Sequence, residues 1–430
     1  MKKIITFLLI ATGWLSAQQK MDLEACLTLA FENNYNLAIA EKQEDAARKG
    51  VLASYSGILP NVGFGSSAQR TTQGPNEYVA YGTTFITSDT TQYYYAAGIS
   101  CNQNIFDGGK WWNNIRLAKS TAEGASINRN RGRQLVIVTV TEKFYNVLKA
   151  QELLKVYQKS LENSREQLNK TREMHRIGQV AKKDLFKAQV REGNDRLFVI
   201  QQQQAVETAV AELNLAMGIS PQTAIEVYEE QYRAPEDVAG EKALAHALEQ
   251  NTEYNALLAN KQSAFLQYKI AKGDWFPDVS TRYTYYRGGR NIEKTYQEFD
   301  KWWNTELTLN VSIPLFNGFS RRTRVQQRYL DYKITEDRIA QKKIDIQNQV
   351  ENLILMLNTY REMIEINELN IVSAKEDLRL AQEMYRLNSA TLLEVLDAQV
   401  ALTRAEGDLV TTKYNAKIAE AQLQYVMGIL

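Results

Sequence analysis

The stretch WWNTELTLNVSIPLF, residues 302–316, decides the fold. Alternate positions Trp303, Thr305, Leu307, Leu309, Val311, Ile313 and Leu315 make one face, apolar but for a single threonine, while Asn304, Glu306, Thr308, Asn310 and Ser312 make the other. A period of two belongs to a β-strand whose faces meet different surroundings. Residues 93–106 keep the same phase more weakly through Tyr93, Tyr95, Ala97, Ile99, Cys101, Gln103 and Ile105, and residues 61–72 and 278–288 supply hairpin partners. A half-buried strand of a soluble sandwich also alternates. These runs, however, exceed the usual ~5–6 residues. Their ends gather Tyr93, Tyr94, Tyr95, Trp302 and Trp303, as an aromatic girdle at a membrane interface does. Four strands cannot close a membrane barrel, which starts at about eight, so several chains must share one.

The N-terminus agrees with export. MKKIITFLLIATGWLSA carries two lysines, an apolar run from Ile4 to about Leu15 and small residues at 16–17, which reads as a signal peptide over residues 1–17 cleaved after Ala17. Beyond it no run of 18 apolar residues follows, so no transmembrane helix is expected. Removing Lys2 and Lys3 from 51 basic residues leaves 49 against 50 acidic ones, and so balanced a chain is no nucleic-acid binder. The cluster SRRTRVQQR at 320–328 reads as a solvated helix face. Cys26 and Cys101 are expected to be free thiols.

The chain is written twice. Ile105-Phe-Asp-Gly-Gly recurs as Leu315-Phe-Asn-Gly-Phe, Met174-His-Arg-Ile-Gly as Met384-Tyr-Arg-Leu-Asn, and Leu215-Ala-Met-Gly-Ile as Tyr425-Val-Met-Gly-Ile, each at a shift of 210. Residues 18–218 form the first repeat, 219–240 a linker with Pro221 and Pro235 at the middle of the structure, and 241–430 the second repeat. Within each copy a strict heptad runs through Val140, Val147, Leu154, Leu161, Leu168 and His175, and through Val350, Leu357, Ile364, Ile371, Leu378 and Tyr385. The seam is coiled-coil-like and predicts helices over 108–175 and 319–385, each ~100 Å long at ~1.5 Å per residue. Helices about half as long are predicted over 22–57, 181–217, 241–273 and 392–427. The fold class is therefore an internally duplicated α+β membrane protein with long antiparallel helical hairpins and four membrane strands per chain.

Repeat, hairpins and rods together resemble the TolC family of outer-membrane efflux proteins. The motifs are LEACLTLAFENNYNL, LPNVGFG and FPDVSTRY entering the hairpins, IFDGG and PLFNGF leaving them, and the turns HRIGQVAKKDLFKAQ and YRLNSATLLEVLDAQ. Singly they are weak, but their order and duplication are specific. The resemblance covers nearly all of the mature chain. It implies a homotrimer with one 12-stranded barrel in the outer membrane, in contact with its lipid, and a coiled-coil tunnel in the periplasm. It implies a passive export duct for efflux or type I secretion, without enzymatic activity, cofactor or metal, gated at its periplasmic end. A periplasmic adaptor (membrane fusion) protein and an inner-membrane pump of the RND, ABC or MFS type would be its partners. The family's glycine in the second turn is Asn388 here, a residue that also tolerates the left-handed conformation.

By that resemblance Glu394 and Asp397 line the periplasmic constriction, and Asp184 and Tyr385 form a closed-state latch. Three apart on a helix, the two acids share a face, and six carboxylates about a threefold axis would favour cations and resist closing together. Glu394 has a second reading, since Thr391-x-x-Glu394 is a capping box. Tyr385 likewise is a heptad position and reads equally as core. His175 reads as a turn-packing residue, with pH sensing at the mouth as its other reading. The competing function is a trimeric coiled-coil structural or adhesive surface protein, which predicts no polar strand face, contrary to Asn304, Glu306, Thr308 and Asn310. No nucleophile–base pair, metal box or phosphate loop supports an enzyme.

Overall fold

A computed structural model of the chain describes residues 19–229, 232–234, 239–297, 300–387 and 389–430. The signal segment and Asn388 lie outside them. The first copy comprises β1 (Gln19–Met21), α1 (Leu23–Asn33), α2 (Tyr35–Ser54), β2 (Asn61–Gln73), β3 (Asn76–Ala80), β4 (Thr83–Thr87), β5 (Thr90–Phe106), α3 (Lys110–Arg176) and α4 (Lys182–Met217). After β6 (Ile225–Val227) follow α5 (Gly240–Gln250), α6 (Thr252–Gly273), β7 (Asp278–Gly289), α7 (Ile292–Tyr296), β8 (Trp303–Ser312), α8 (Ser320–Arg386) and α9 (Leu392–Met427). Both long helices have 67 residues and both α4 and α9 have 36.

The repeated motifs are helix signals. The Asp107 carboxylate accepts the Trp111 N–H at 2.8 Å and the Asn317 amide oxygen accepts that of Arg321 at 3.4 Å, so the Asx before each glycine caps a long helix. At the far ends Gln179 N donates to the Met174 carbonyl and Ser389 N to that of Met384, both at 2.8 Å, closing the helices in the same wide turn.

Two of the predicted half-length helices are interrupted. Residues 22–57 divide into α1 and α2 at Asn34, and 241–273 into α5 and α6 at Asn251. Each asparagine leaves the helical conformation and starts the next helix with its own amide oxygen, which accepts from Asn36 N and Leu37 N in one case and from Tyr254 N in the other. Its amide nitrogen reaches across to the neighbouring half-length helix, Asn34 to the Ala216 carbonyl at 3.0 Å and Asn251 to that of Val426 at 2.8 Å. The breaks are therefore duplicated fasteners.

The chain divides into two compact units. One gathers the described residues up to Glu41 with Asn128–Asn255 and Gln341–Leu430, and is helical apart from the parallel pair β1–β6. Its first core joins Cys26 and Ala30 of α1, Val140, Phe144 and Val147 of α3, and Leu213 and Met217 of α4. Its second repeats this with Ala243 and Ala247, Ile346 and Val350, and Leu423 and Val426. The heptad residues Val140, Val147, Leu161, Leu168, Val350, Leu357 and Leu378 are buried, as a seam requires.

The second unit, Lys42–Ile127 with Ala256–Ala340, carries an antiparallel sheet in the order β2-β5-β7-β8. Cross-strand partners share a face. The register puts Asn304, Glu306 and Thr308 of β8 beside Tyr286, Thr284 and Arg282 of β7, then Gly98, Ser100 and Asn102 of β5 and Gly65, Gly63 and Asn61 of β2. Leu307, Tyr283, Cys101 and Val62 line up on the opposite face. Of the predicted girdle, Tyr93, Tyr95 and Trp303 stand on this apolar side. Tyr94 stands on the polar side, and Trp302 precedes β8 with φ +61°. Among the described residues β2 and β8 each pair on one side alone, leaving two open edges. Both cysteines are free, and burial with the charge of Asp22 pushes the Cys26 thiol up to about 12.

Candidate functional site

The turn end of the helical hairpins brings four helices together. Leu168 of α3, Leu185 and Ala188 of α4, Tyr385 of α8, and Leu392 and Leu396 of α9 pack as one cluster. A second layer, Leu378, Val395, Ala398 and Leu402 with Ile371 and Ala374, also closes on Tyr385. Tyr385 thus belongs to both layers, as a heptad residue should. Its hydroxyl is buried, and burial together with the charge of Asp184 lifts it above the ordinary tyrosine range, with Thr171 acting the other way. Thr171 commits its own hydroxyl to the Gln167 carbonyl at 2.8 Å, and no well-formed hydrogen bond satisfies the Tyr385 oxygen among the described residues. Asp184 lies half-buried in the first turn of α4. Asp184 is thus near enough to Tyr385 for its charge to disfavour the phenolate, with no hydrogen bond between the two.

The two turns differ where function was expected. α9 opens with a complete capping box: Thr391 Oγ1 accepts from Glu394 N at 3.4 Å, and Glu394 Oε1 accepts from Thr391 N at 3.2 Å. Oε1 also accepts from the Thr391 hydroxyl at 2.9 Å. α4 is preceded by Ala181 at the N-cap position and has no side-chain cap. Asp397, one turn on, is exposed and has no hydrogen bond or ion pair among the described residues. It lies in an exposed stripe with Leu393, Val400 and Arg404 at helical spacing. His175 joins neither group: its Nδ1 donates to the Val180 carbonyl at 3.1 Å across the first turn, a packing contact. Beside the turns an open cleft of about 920 Å³ between α3 and α8 is edged by Lys170, Glu173, Gln179, Arg379, Glu383 and Arg386.

Sequence reasoning missed a buried polar node farther along these helices. Asp195, 2 % exposed, pairs with Arg191 at 3.0 Å and accepts from Ser160 at 3.4 Å, while Thr403 reaches Ser160 at 3.1 Å and Gln399 donates to its carbonyl. Burial raises the Asp195 carboxyl, with Arg191 opposing. Its signal was an acid seven residues after buried Ala188, where a seam prefers an apolar side chain. Among the described residues no group of three or more His, Cys, Asp or Glu is placed to hold a metal, and no helix is long and apolar enough to cross a membrane.

A family model described as outer membrane efflux protein matches residues 26–219 and 243–429. Outer membrane protein TolC of Salmonella enteritidis is 22% identical over 443 residues, covering 100% of this chain and 87% of that protein. Alkaline protease secretion protein AprF of Pseudomonas aeruginosa is 21% identical over 409 residues, covering 94% and 83%. The crystal structure of the Campylobacter jejuni CmeC outer membrane channel superposes with a TM-score of 0.84 at 16% identity, covering 94% of this chain and 85% of that one.

Proposed function

This chain belongs to the outer membrane efflux protein family, and from that premise we propose that three copies form a passive export duct in the outer membrane for efflux or type I secretion. The observation that carries the reading is the sheet: one face apolar, one polar, and two open edges on β2 and β8. Twelve strands from three chains satisfy those edges and give the faces lipid and water. Tyr93, Tyr95 and Trp303 then belong to the lipid interface as a girdle. A solid coiled-coil adhesin leaves the polar face without a role.

In the duct α3, α4, α8 and α9 line the periplasmic passage, and the turn end is its gate. Asp397, exposed and unpaired among the described residues, faces the axis; Glu394 does so while its Oε1 completes the capping box of α9, so both readings of that residue hold together. Asp184 and Tyr385 tie α4 to α8 in the closed form. The cleft between α3 and α8, edged by alternating cations and carboxylates, suits helix tips of a periplasmic adaptor, which links the duct to an inner-membrane pump. AprF is named for alkaline protease secretion and the family for efflux, the two kinds of export such a duct would serve. Single-channel recording in planar bilayers tests the gate: Glu394→Ala with Asp397→Ala should reduce cation selectivity and remove block by multivalent cations. Unchanged selectivity and block in that variant would reject the carboxylate ring.

A further inference from the structure

The polar face of the sheet is not uniform. From the helix-proximal end outward its levels read Arg282 with Asn102 and Thr308, then Glu306 with Thr284, Ser100 and Gly63, then Tyr286 with Asn304, Gly98 and Gly65. Gly288, Ala96 and Ser67 follow, and finally Tyr94 beside Gln69. Beyond Arg282 the neighbours in β2, β5 and β7 are small as far as Gln69, and among the described strand residues Tyr286 and Tyr94 are the two rings on this face. Each needs a bare backbone beside it. A Cβ on Gly98 would stand 2.8 Å from Tyr286 Cβ and 2.7 Å from the Tyr285 carbonyl oxygen, and one on Gly288 would stand 2.5 Å from Tyr94 Oη. The Tyr94 ring therefore lies over Gly288, while beside Tyr286 the backbones of β5 and β7 come too close for any side chain at Gly98.

We infer that Tyr94 and Tyr286 form an aromatic collar on the wall of the lumen that binds flat aromatic cations on their way out. The inference rests on the three-chain duct proposed above, in which the collar has six rings. Phenol faces carry negative potential and attract cations stacked on them. The Glu306 carboxylate, one level nearer the helices, adds charge of the right sign and accepts from the Thr308 hydroxyl at 3.1 Å. The opposing cation, Arg282, is directed to the Asn102 amide oxygen at 2.7 Å. A cargo molecule moving outward thus passes an arginine level, a carboxylate level and then the rings.

Purified wild-type protein in planar bilayers, probed with ethidium added on the β-strand side and tetrapropylammonium as a non-aromatic cation, provides the test. Ethidium should reduce the current, and Tyr94→Leu with Tyr286→Leu should raise its half-blocking concentration about tenfold, the scale of one or two lost ring–cation contacts. The Tyr94→Phe, Tyr286→Phe pair should block as the wild type does, and tetrapropylammonium should act alike on all three. Conducting wild-type pores that ethidium leaves unblocked, or equal half-blocking concentrations in wild type and leucine variant, overturn the collar. Wild-type protein that forms no pores overturns the duct and the collar with it. Should the double leucine variant fail to insert, Tyr286→Leu alone is judged by the same criterion.

Discussion

Gly218 and Gly428 hold the same place in the two copies, at the ends of α4 and α9. Both are left-handed, at φ +78° and +73°, and each N–H returns to its own helix, Gly218 to Leu215 and Gly428 to Tyr425. A Cβ on Gly218 would lie 2.5 Å from the Asn33 carbonyl oxygen, and one on Gly428 would collide with that of Gln250. Both oxygens belong to residues just before the asparagine breaks. Glycine is thus required twice over at each site, by its φ and by a backbone that cannot retreat. Gly218→Ala and Gly428→Ala should each destabilise the helical unit by more than the ~1–2 kcal/mol that a left-handed alanine costs alone. Denaturant unfolding in detergent followed by circular dichroism measures this, and a variant within ~0.5 kcal/mol of wild type would contradict it. The paired glycines were legible from the repeated Met-Gly-Ile; Asn34 and Asn251 were not. A break of one residue leaves the apolar period on either side nearly undisturbed, so the sequence reads as a single helix through it.

Elements whose stability comes from a period were the readable ones. The heptads of α3 and α8 and the alternation of β5 and β8 state their own burial, because the same face recurs many times. The β3–β4 hairpin lacked such a statement. Its two-residue turn is Tyr81-Gly82, with φ +51° and +77°, where the usual signal is Asn-Gly or Asp-Gly. Charge networks between elements are equally silent in sequence, since their members are far apart in the chain. Glu253 of α6 is the clearest: it bonds Lys342 of α8, accepts from Arg131 of α3 at 2.9 Å, and lies 3.5 Å from the Tyr425 hydroxyl of α9. Burial opposes the ionised form, but the hydrogen bond and charge of Lys342 and those of Arg131 prevail and hold the carboxyl below its ordinary 4.5. A depressed carboxyl contributes stability that is complete above its ordinary pKa and is lost as pH falls through its folded value. Glu253→Gln should therefore cost ~1–3 kcal/mol at pH 7, with the gap to wild type closing as pH falls below the ordinary 4.5 and through the depressed folded value. A pH series of thermal melts decides it; a gap that widens on acidification would reverse the sign of the argument.

At the scale of the whole molecule the problem is unmet backbone. A strand edge in lipid costs several kcal/mol for each unpaired peptide group, and both β2 and β8 present one. β2 has 13 residues and β8 has 10, each enough for the ~9–11 that a tilted membrane strand needs. An edge of β8 on one copy can therefore meet an edge of β2 on the next along a full membrane span, and repeating the contact head to tail gives a ring. Two copies would supply eight strands, the smallest number that closes. Eight-stranded barrels, however, are filled by their own side chains, and the middle of the polar face here offers Gly63, Gly65, Gly98 and Ser100 across β2 and β5, which fill little beside Tyr286 and Glu306. Three copies supply twelve strands and leave a lumen that these small residues can line. Light scattering and native mass spectrometry on detergent-purified protein should accordingly find a single species of three chains, and co-expression of two differently tagged chains should yield all four combinations of a trimer. A stable monomer with both edges exposed, or a closed dimer, would remove the lumen and with it the basis of export through the barrel.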